Sequence, residues 1–254
     1  MIPWARAGLC LPAYIALTVT SIHAASRLPG DLVYLRDVAP SIRQDMRYAG
    51  ADNFTGHALP GYDAPECLLK RAVALALLRV QEDLAARNLS LKVYDCYRPT
   101  RAVAAMARWA RDPKARPNTS RFYPALDKSK LFELGYIAVH SAHSRGVAID
   151  LTIVARDAAP AAHFDPNTNY SACTGPAAAR APDNSLDMGA GFDCFDVHSW
   201  THNAAITPEQ KANRRILLDA MRRRGFANYQ REWWHFSYRA GEGGVAYNAP
   251  IVPR

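Results

Sequence analysis

The sequence has no pair of cysteines at C-x-x-C spacing. Beyond its first 25 residues it also has no uninterrupted apolar run of about 18 residues, the length that spans a bilayer. The first absence argues against a cysteine-based zinc site. The second leaves no transmembrane segment in the mature chain. The basic residues outnumber the acidic ones, 31 to 23, but they are scattered apart from short clusters at Arg214–Arg215 and Arg222–Arg224. The second cluster falls at an expected helix C-terminus, where the helix dipole favours cations. Neither cluster is interleaved with aromatics, so no nucleic-acid partner is expected. No internal repeat is present, nothing signals an obligatory protein partner, and helices and strands do not alternate as regular βαβ units. One α+β domain is the expected class.

The N-terminus differs from the rest. MIPWARAG carries one Arg and no acid, LCLPAYIALTVTSI is mostly apolar, and small residues follow in HAAS. That order is the signature of a secretory signal, here residues 1–25, with cleavage near Ala24 or Ala25. The expected mature chain, 26–254, is therefore a single exported domain, periplasmic or secreted. Export changes how the cysteines are read. Cys10 leaves with the signal, and Cys67, Cys96, Cys173 and Cys194 remain as an even number in an oxidising compartment. Three pairings are possible. Cys67–Cys96 and Cys173–Cys194 are favoured because each would staple neighbouring segments.

Several elements are legible. Residues 65–87 read as a helix opened by Pro65, with Leu69, Val73, Leu77, Val80 and Leu84 on one face. LSLKVYDCY, 89–97, alternates as a strand and runs into Arg98-Pro99, and a helix over about 100–111 follows. The helix over 208–224 has Thr207 as cap, Gln210 to complete a capping box, and Gly225 as its stop. Residues 112–130 and 155–190 read as loops, the second long enough to need pinning. The aromatic run NYQREWWHFSY, 228–238, reads as a strand.

The chemistry-bearing residues fall in two places. In SAHSRGVAID, 141–150, His143 and Asp150 flank a Ser-Arg-Gly turn that lets both side chains converge. In 228–238, Glu232 precedes His235 by three residues. A catalytic zinc needs three protein ligands and one open position for water. His143, Asp150 and His235 supply two imidazoles and one carboxylate, leaving a single positive charge on the site. Glu232 is then placed to accept the water's proton without being a ligand. His198 and His202, four apart in a polar stretch, read as non-ligands, and His57, His140 and His163 have no partner that singles them out.

S-x-H-x-x-G-x-A-x-D and E-x-W-H together resemble the zinc D-alanyl-D-alanine dipeptidases, the VanX-like family. DMRYAGADNFTGHALPGY (45–62), YDCYRPT (94–100), DMGAGFDCFD (187–196) and NRRILLDAMRRRGFANYQREWWHF (213–236) are similar to family blocks in family order, so the likeness covers most of the mature chain. The resemblance implies a compact α+β domain with a small, mainly antiparallel sheet. That sheet carries one zinc per chain in a cleft flanked by helices, as in zinc D,D-carboxypeptidases and the hedgehog signalling domain. It implies His143, Asp150 and His235 as zinc ligands, Glu232 as catalytic base and Arg98 as the cation that stabilises the oxyanion. Read from the residues, a fixed cationic fork near the zinc suits that charge, and the alternative is an ordinary strand-end arginine paired with Asp95. The resemblance further places Asp193 at the substrate ammonium, with Ser141 and Tyr48 lining the pocket. The expected reaction is hydrolysis of the D-Ala-D-Ala dipeptide. The alternatives are a zinc D,D-carboxypeptidase or endopeptidase acting on peptidoglycan stems, and a non-catalytic, zinc-stabilised binding module. The segments 112–130 and 155–187, the cysteines and the leader depart from the family core.

Overall fold

A computed structural model describes residues 1–2, 28–115, 119–241 and 243–254. The expected signal segment and Cys10 lie almost wholly outside these residues. Eleven regular elements follow in chain order: β1 (Leu32–Tyr34), α1 (Leu35–Val38), β2 (Arg43–Gln44), β3 (Leu68–Lys70), α2 (Arg71–Ala85), β4 (Leu89–Asp95), α3 (Thr100–Arg111), β5 (Ala148–Ala155), α4 (Pro208–Arg223), β6 (Phe226–Asn228) and β7 (His235–Tyr238). Five strands form one sheet in the order β2-β4-β5-β7-β6, and β1 pairs with β3 in a separate two-stranded ribbon. In the main sheet only the β2–β4 pair is parallel.

β4 and β5 form the middle of the molecule. Nearly every residue from Ser90 to Asp95 and from Ala148 to Val154 is buried, so neither strand keeps the alternation of a one-faced sheet. α2 covers part of this sheet, with Val73, Leu77, Val80 and Leu84 buried at helical spacing. Its Gln81 bonds to the Leu91 backbone N–H and the Ser90 hydroxyl, satisfying polar groups that burial would otherwise leave unpaired. α4 packs beside α2 and β6. It opens with the expected capping box between Thr207 and Gln210, and Gly225 follows its end at φ 89°.

Two sequence expectations are corrected. The segment opened by Pro65 is not helical until Arg71. Residues 67–70 are extended because three partners distant in sequence claim their backbone. Leu68–Lys70 pairs antiparallel with Leu32–Tyr34, the Tyr97 N–H donates to the Leu68 carbonyl, and the Lys70 N–H donates to Gly146. The expected strand over 228–238 is instead a hairpin, β6 and β7, joined by a turn at 229–234. The Glu232 N–H bonds to the Tyr229 carbonyl and the Trp233 N–H to Ser199, while the Asn228 amide donates to the carbonyls of Glu232 and His235. On a straight strand residues three apart point to opposite faces. The turn removes that conflict for Glu232 and His235.

The cysteines pair as favoured, Cys67 with Cys96 and Cys173 with Cys194. The second bridge pins the long 156–191 segment, where the Gly191 N–H also bonds to the Cys173 carbonyl and Leu186 to Ile153. The 112–130 segment holds short 3-10 turns at Ser120–Phe122 and Lys128–Lys130.

Candidate metal-dependent active site

Sheet register builds the site. Asp150, on central β5, stands opposite Asp95 of β4 on one side and His235 of β7 on the other. A bulge between Val93 and Asp95 shifts the β4 register and brings Asp95 into that line. His143 arrives from the 3-10 turn Ala142–Arg145, which Ser141 caps by accepting the His143 N–H. Gly146 ends the turn at φ 68°, and a Cβ there would lie 2.4 Å from Leu32 Cδ2. The glycine is required both for the left-handed turn and for the close approach of the β1–β3 ribbon.

Three side chains converge. His143 Nε2 lies 3.2 Å from His235 Nδ1 and 3.4 Å from an Asp150 carboxylate oxygen, and the other Asp150 oxygen lies 2.9 Å from His235 Nδ1. Among the described residues this is the grouping of three His, Cys, Asp or Glu side chains arranged to hold a metal ion. His143 Nδ1 lies 2.6 Å from the Cys96 carbonyl. A carbonyl only accepts, so Nδ1 carries the proton and Nε2 presents its lone pair to the cluster. Burial pushes the Asp150 carboxyl up, but the two imidazoles outweigh it and hold it far below the usual carboxylate range. Asp95, fully buried beside Arg98, is displaced upward by desolvation despite that guanidinium.

Around this triangle stand the other expected residues. Glu232 Oε2 lies 3.9 Å from His235 Nδ1. Burial, then the charge of Asp150, raises the Glu232 carboxyl well above its ordinary value, and Arg98 only partly offsets them. Arg98 donates from Nε to Asp95 at 2.8 Å and reaches Asp150 from Nη2 at 3.4 Å, with its guanidinium 4.9 Å from the Tyr48 ring centroid. The pairing with Asp95 and the position at the cluster coexist. The Tyr48 hydroxyl donates to Asp193 at 2.7 Å. Asp193 is buried with its backbone at φ 57°, and desolvation lifts its carboxyl well above the usual range. A non-glycine residue held in the left-handed region is strain of the kind that collects at functional sites.

All of these except Asp95 line one cavity of about 270 Å³, together with Ser141, Tyr136, Phe195 and His140. His140 is a cavity residue that the sequence did not single out, because nothing in its neighbours marks it. Asp95 was read only as a partner of Arg98, yet it also accepts the Tyr62 hydroxyl at 2.6 Å and lies 3.4 Å from His143 Nδ1. His198 bonds to Asp196 through Nδ1, outside the cluster.

The family model described as D-Ala-D-Ala dipeptidase, peptidase M15, matches residues 29–165 and 178–252. The chain belongs to this family. As a member of this peptidase family it resembles the D-alanyl-D-alanine dipeptidase of Streptomyces coelicolor, with 35% identity over 84% of this chain and 93% of that protein. It is 34% identical to the Enterococcus faecalis D-alanyl-D-alanine dipeptidase over 80% and 89% of the two chains. To the Escherichia coli D-alanyl-D-alanine dipeptidase it is 32% identical over 81% and 83%. The family match skips residues 166–177, within the disulfide-pinned segment noted above. The compact α+β fold agrees with membership, and the chain is a metallopeptidase by family.

Proposed function

We propose that this chain is a zinc D,D-dipeptidase that hydrolyses free D-Ala-D-Ala to two D-alanines. The observation that carries the reading is the His143–Asp150–His235 cluster with Glu232 beside it, all lining one cavity of about 270 Å³. Tetrahedral zinc bonded at about 2.0–2.1 Å separates its ligand atoms by about 3.3 Å. His143 Nε2 and His235 Nδ1 lie 3.2 Å apart, one Asp150 oxygen lies 2.9 Å from His235 Nδ1 and the other 3.4 Å from His143 Nε2, and this two-nitrogen, one-carboxylate set fits one such ion. When bound, zinc supplies a Lewis acid that polarises the scissile carbonyl and acidifies the attacking water.

The chain's own residues do the rest. Glu232, whose carboxyl burial makes more basic than a free one, takes the water's proton and hands it to the departing amine nitrogen. Arg98 is fixed by Asp95 and Asp150, and it meets the negative charge that grows on the carbonyl oxygen without having to reorganise. Asp193, oriented by Tyr48, has no cationic partner within ion-pair distance among the described residues, so it suits a substrate ammonium. Ser141 and Tyr48 wall the pocket. The cavity, about 270 Å³, suits a small ligand. An intact base and arginine disfavour a pure binding module.

Residues 26–254 are assigned as the catalytic domain and 1–25 as a cleaved export leader. Two disulfides and the N-terminal charge and apolar pattern support an oxidising destination. No described helix is long and apolar enough to cross a membrane.

The test is D-alanine release by zinc-loaded protein from D-Ala-D-Ala and from its N-acetylated form. Acetylation removes the ammonium that Asp193 would meet and adds an acyl group at that end of the cavity, so that substrate should turn over at least roughly 100-fold more slowly. Glu232→Ala should abolish release. Equal cleavage of both substrates would move the enzyme to peptidoglycan trimming, and release that is independent of Glu232 would remove the reading altogether.

A further inference from the structure

Cys96 does more than form a bridge. Its carbonyl holds the proton of His143 Nδ1 at 2.6 Å, and its sulfur is bound to Cys67. Both cysteines are fully buried. The segment that begins at Cys67 then runs between the two stretches that make the cluster. The Leu68 carbonyl accepts from the Tyr97 N–H, the Lys70 N–H donates to the Gly146 carbonyl, and the Arg98 N–H donates to the His143 carbonyl. Residues 67–70 therefore tie 96–98 to 143–146, and the disulfide is the one covalent link in that tie.

We propose that the Cys67–Cys96 disulfide is a positioning element for the metal site, fixing the carbonyl that sets the tautomer and orientation of His143. The inference rests on His143, Asp150 and His235 being the metal ligands proposed above. The group that orients a ligand imidazole contributes to metal affinity, and its loss commonly weakens binding 10- to 100-fold. The hydrogen-bonding group here is main chain and survives a side-chain change. What changes is how firmly its position is held. The second bridge, Cys173–Cys194, touches none of the three ligands and provides an internal comparison.

The experiment measures zinc affinity by competition with a chelator, and the visible absorption of the cobalt-substituted protein, for four proteins. These are the wild type, Cys67→Ala/Cys96→Ala, Cys173→Ala/Cys194→Ala and His143→Ala, each well below its own melting midpoint. The expected result is about a 10-fold or greater loss of zinc affinity and an altered cobalt spectrum for the first pair, with neither change for the second. If the alanine pair does not fold, Cys67→Ala/Cys96→Val refills most of the lost sulfur volume and takes its place. Unchanged affinity and spectrum in the first pair overturn the proposal, as does an equal loss in both pairs. Failure of both 67/96 variants to fold where the 173/194 pair folds also overturns it, because the bridge would then serve the whole fold. A wild type that binds no zinc, or that binds it as tightly after His143→Ala, is a failure of the ligand assignment itself and is distinguishable from the others.

Discussion

Arg98 keeps its charge at the wall of the cavity, and it does so through geometry. Its Nε is committed to Asp95 and its Nη2 reaches Asp150, while the guanidinium carbon sits 4.9 Å from the Tyr48 ring centroid. Desolvation works against the cation, but the surrounding carboxylates, Asp95 first among them, keep it charged across the accessible pH range. A lysine would bring the same charge without the planar fork. Arg98→Lys is therefore expected to lower kcat on D-Ala-D-Ala by roughly 10²- to 10³-fold, the cost of losing one oxyanion donor, with a much smaller change in KM. Steady-state kinetics would show it, and a change confined to KM would place Arg98 in ground-state binding. Asp193 and Glu232 illustrate a related point. Each is a carboxyl whose burial favours the protonated form, and each lines the cavity, as groups with proposed roles in binding or proton transfer do.

Among the elements, the 156–191 segment shows how a long loop is made rigid. Asp183 accepts from Lys92 Nζ and, at 2.6 Å, from the Tyr94 hydroxyl, and it lies 3.3 Å from Arg47. Burial raises its carboxyl, but these cations outweigh it and bring it down to about 2. A depressed value means stability that is present above the unfolded-state value near 4 and lost as pH falls through 2. The contribution is about 2 kcal/mol. Denaturant unfolding of metal-free protein between pH 6 and pH 2 should show this loss, and Asp183→Asn should lack that part of the slope. Equal slopes would mean that the loop is anchored elsewhere. The elements also show what a sequence can carry. α4 was legible because Thr207 and Gln210 act within one turn, and His143 with Asp150 because seven residues and a glycine suffice to bring them together. Residues 67–70 depart from the helical period because the segment's partners, Leu32–Tyr34, Tyr97 and Gly146, are all remote. Trp233 and Trp234 looked like a strand, but the Trp233 N–H is bound to Ser199. The second role of Asp95 depends on a bulge that no local pattern announces.

At the scale of the molecule, the site and the sheet are one object. Asp95, Asp150 and His235 lie in line across β4, β5 and β7, so an ion held there would bind the folded chain and not the unfolded one. Free zinc at about 1,000 times its dissociation constant should add about 4 kcal/mol of stability. For a chain of this length that raises the melting midpoint by roughly 10 °C. Calorimetry with and without chelator measures it, and equal midpoints would mean that no ion is held by the folded state. Activity should vanish with the chelator and return with zinc.

His143 and His235, two of the three proposed ligands, are separated by 92 positions, and β7 is the last strand in chain order among the described residues. A growing chain therefore cannot capture its metal piecemeal. On the proposed assignment, a polypeptide that stops just short of β7 carries Glu232 but only two of the three ligands, His143 and Asp150, which leaves the metal site incomplete. Competence arrives in a single late step, when the C-terminal hairpin docks onto β5, so a truncated or stalled product is inert by construction.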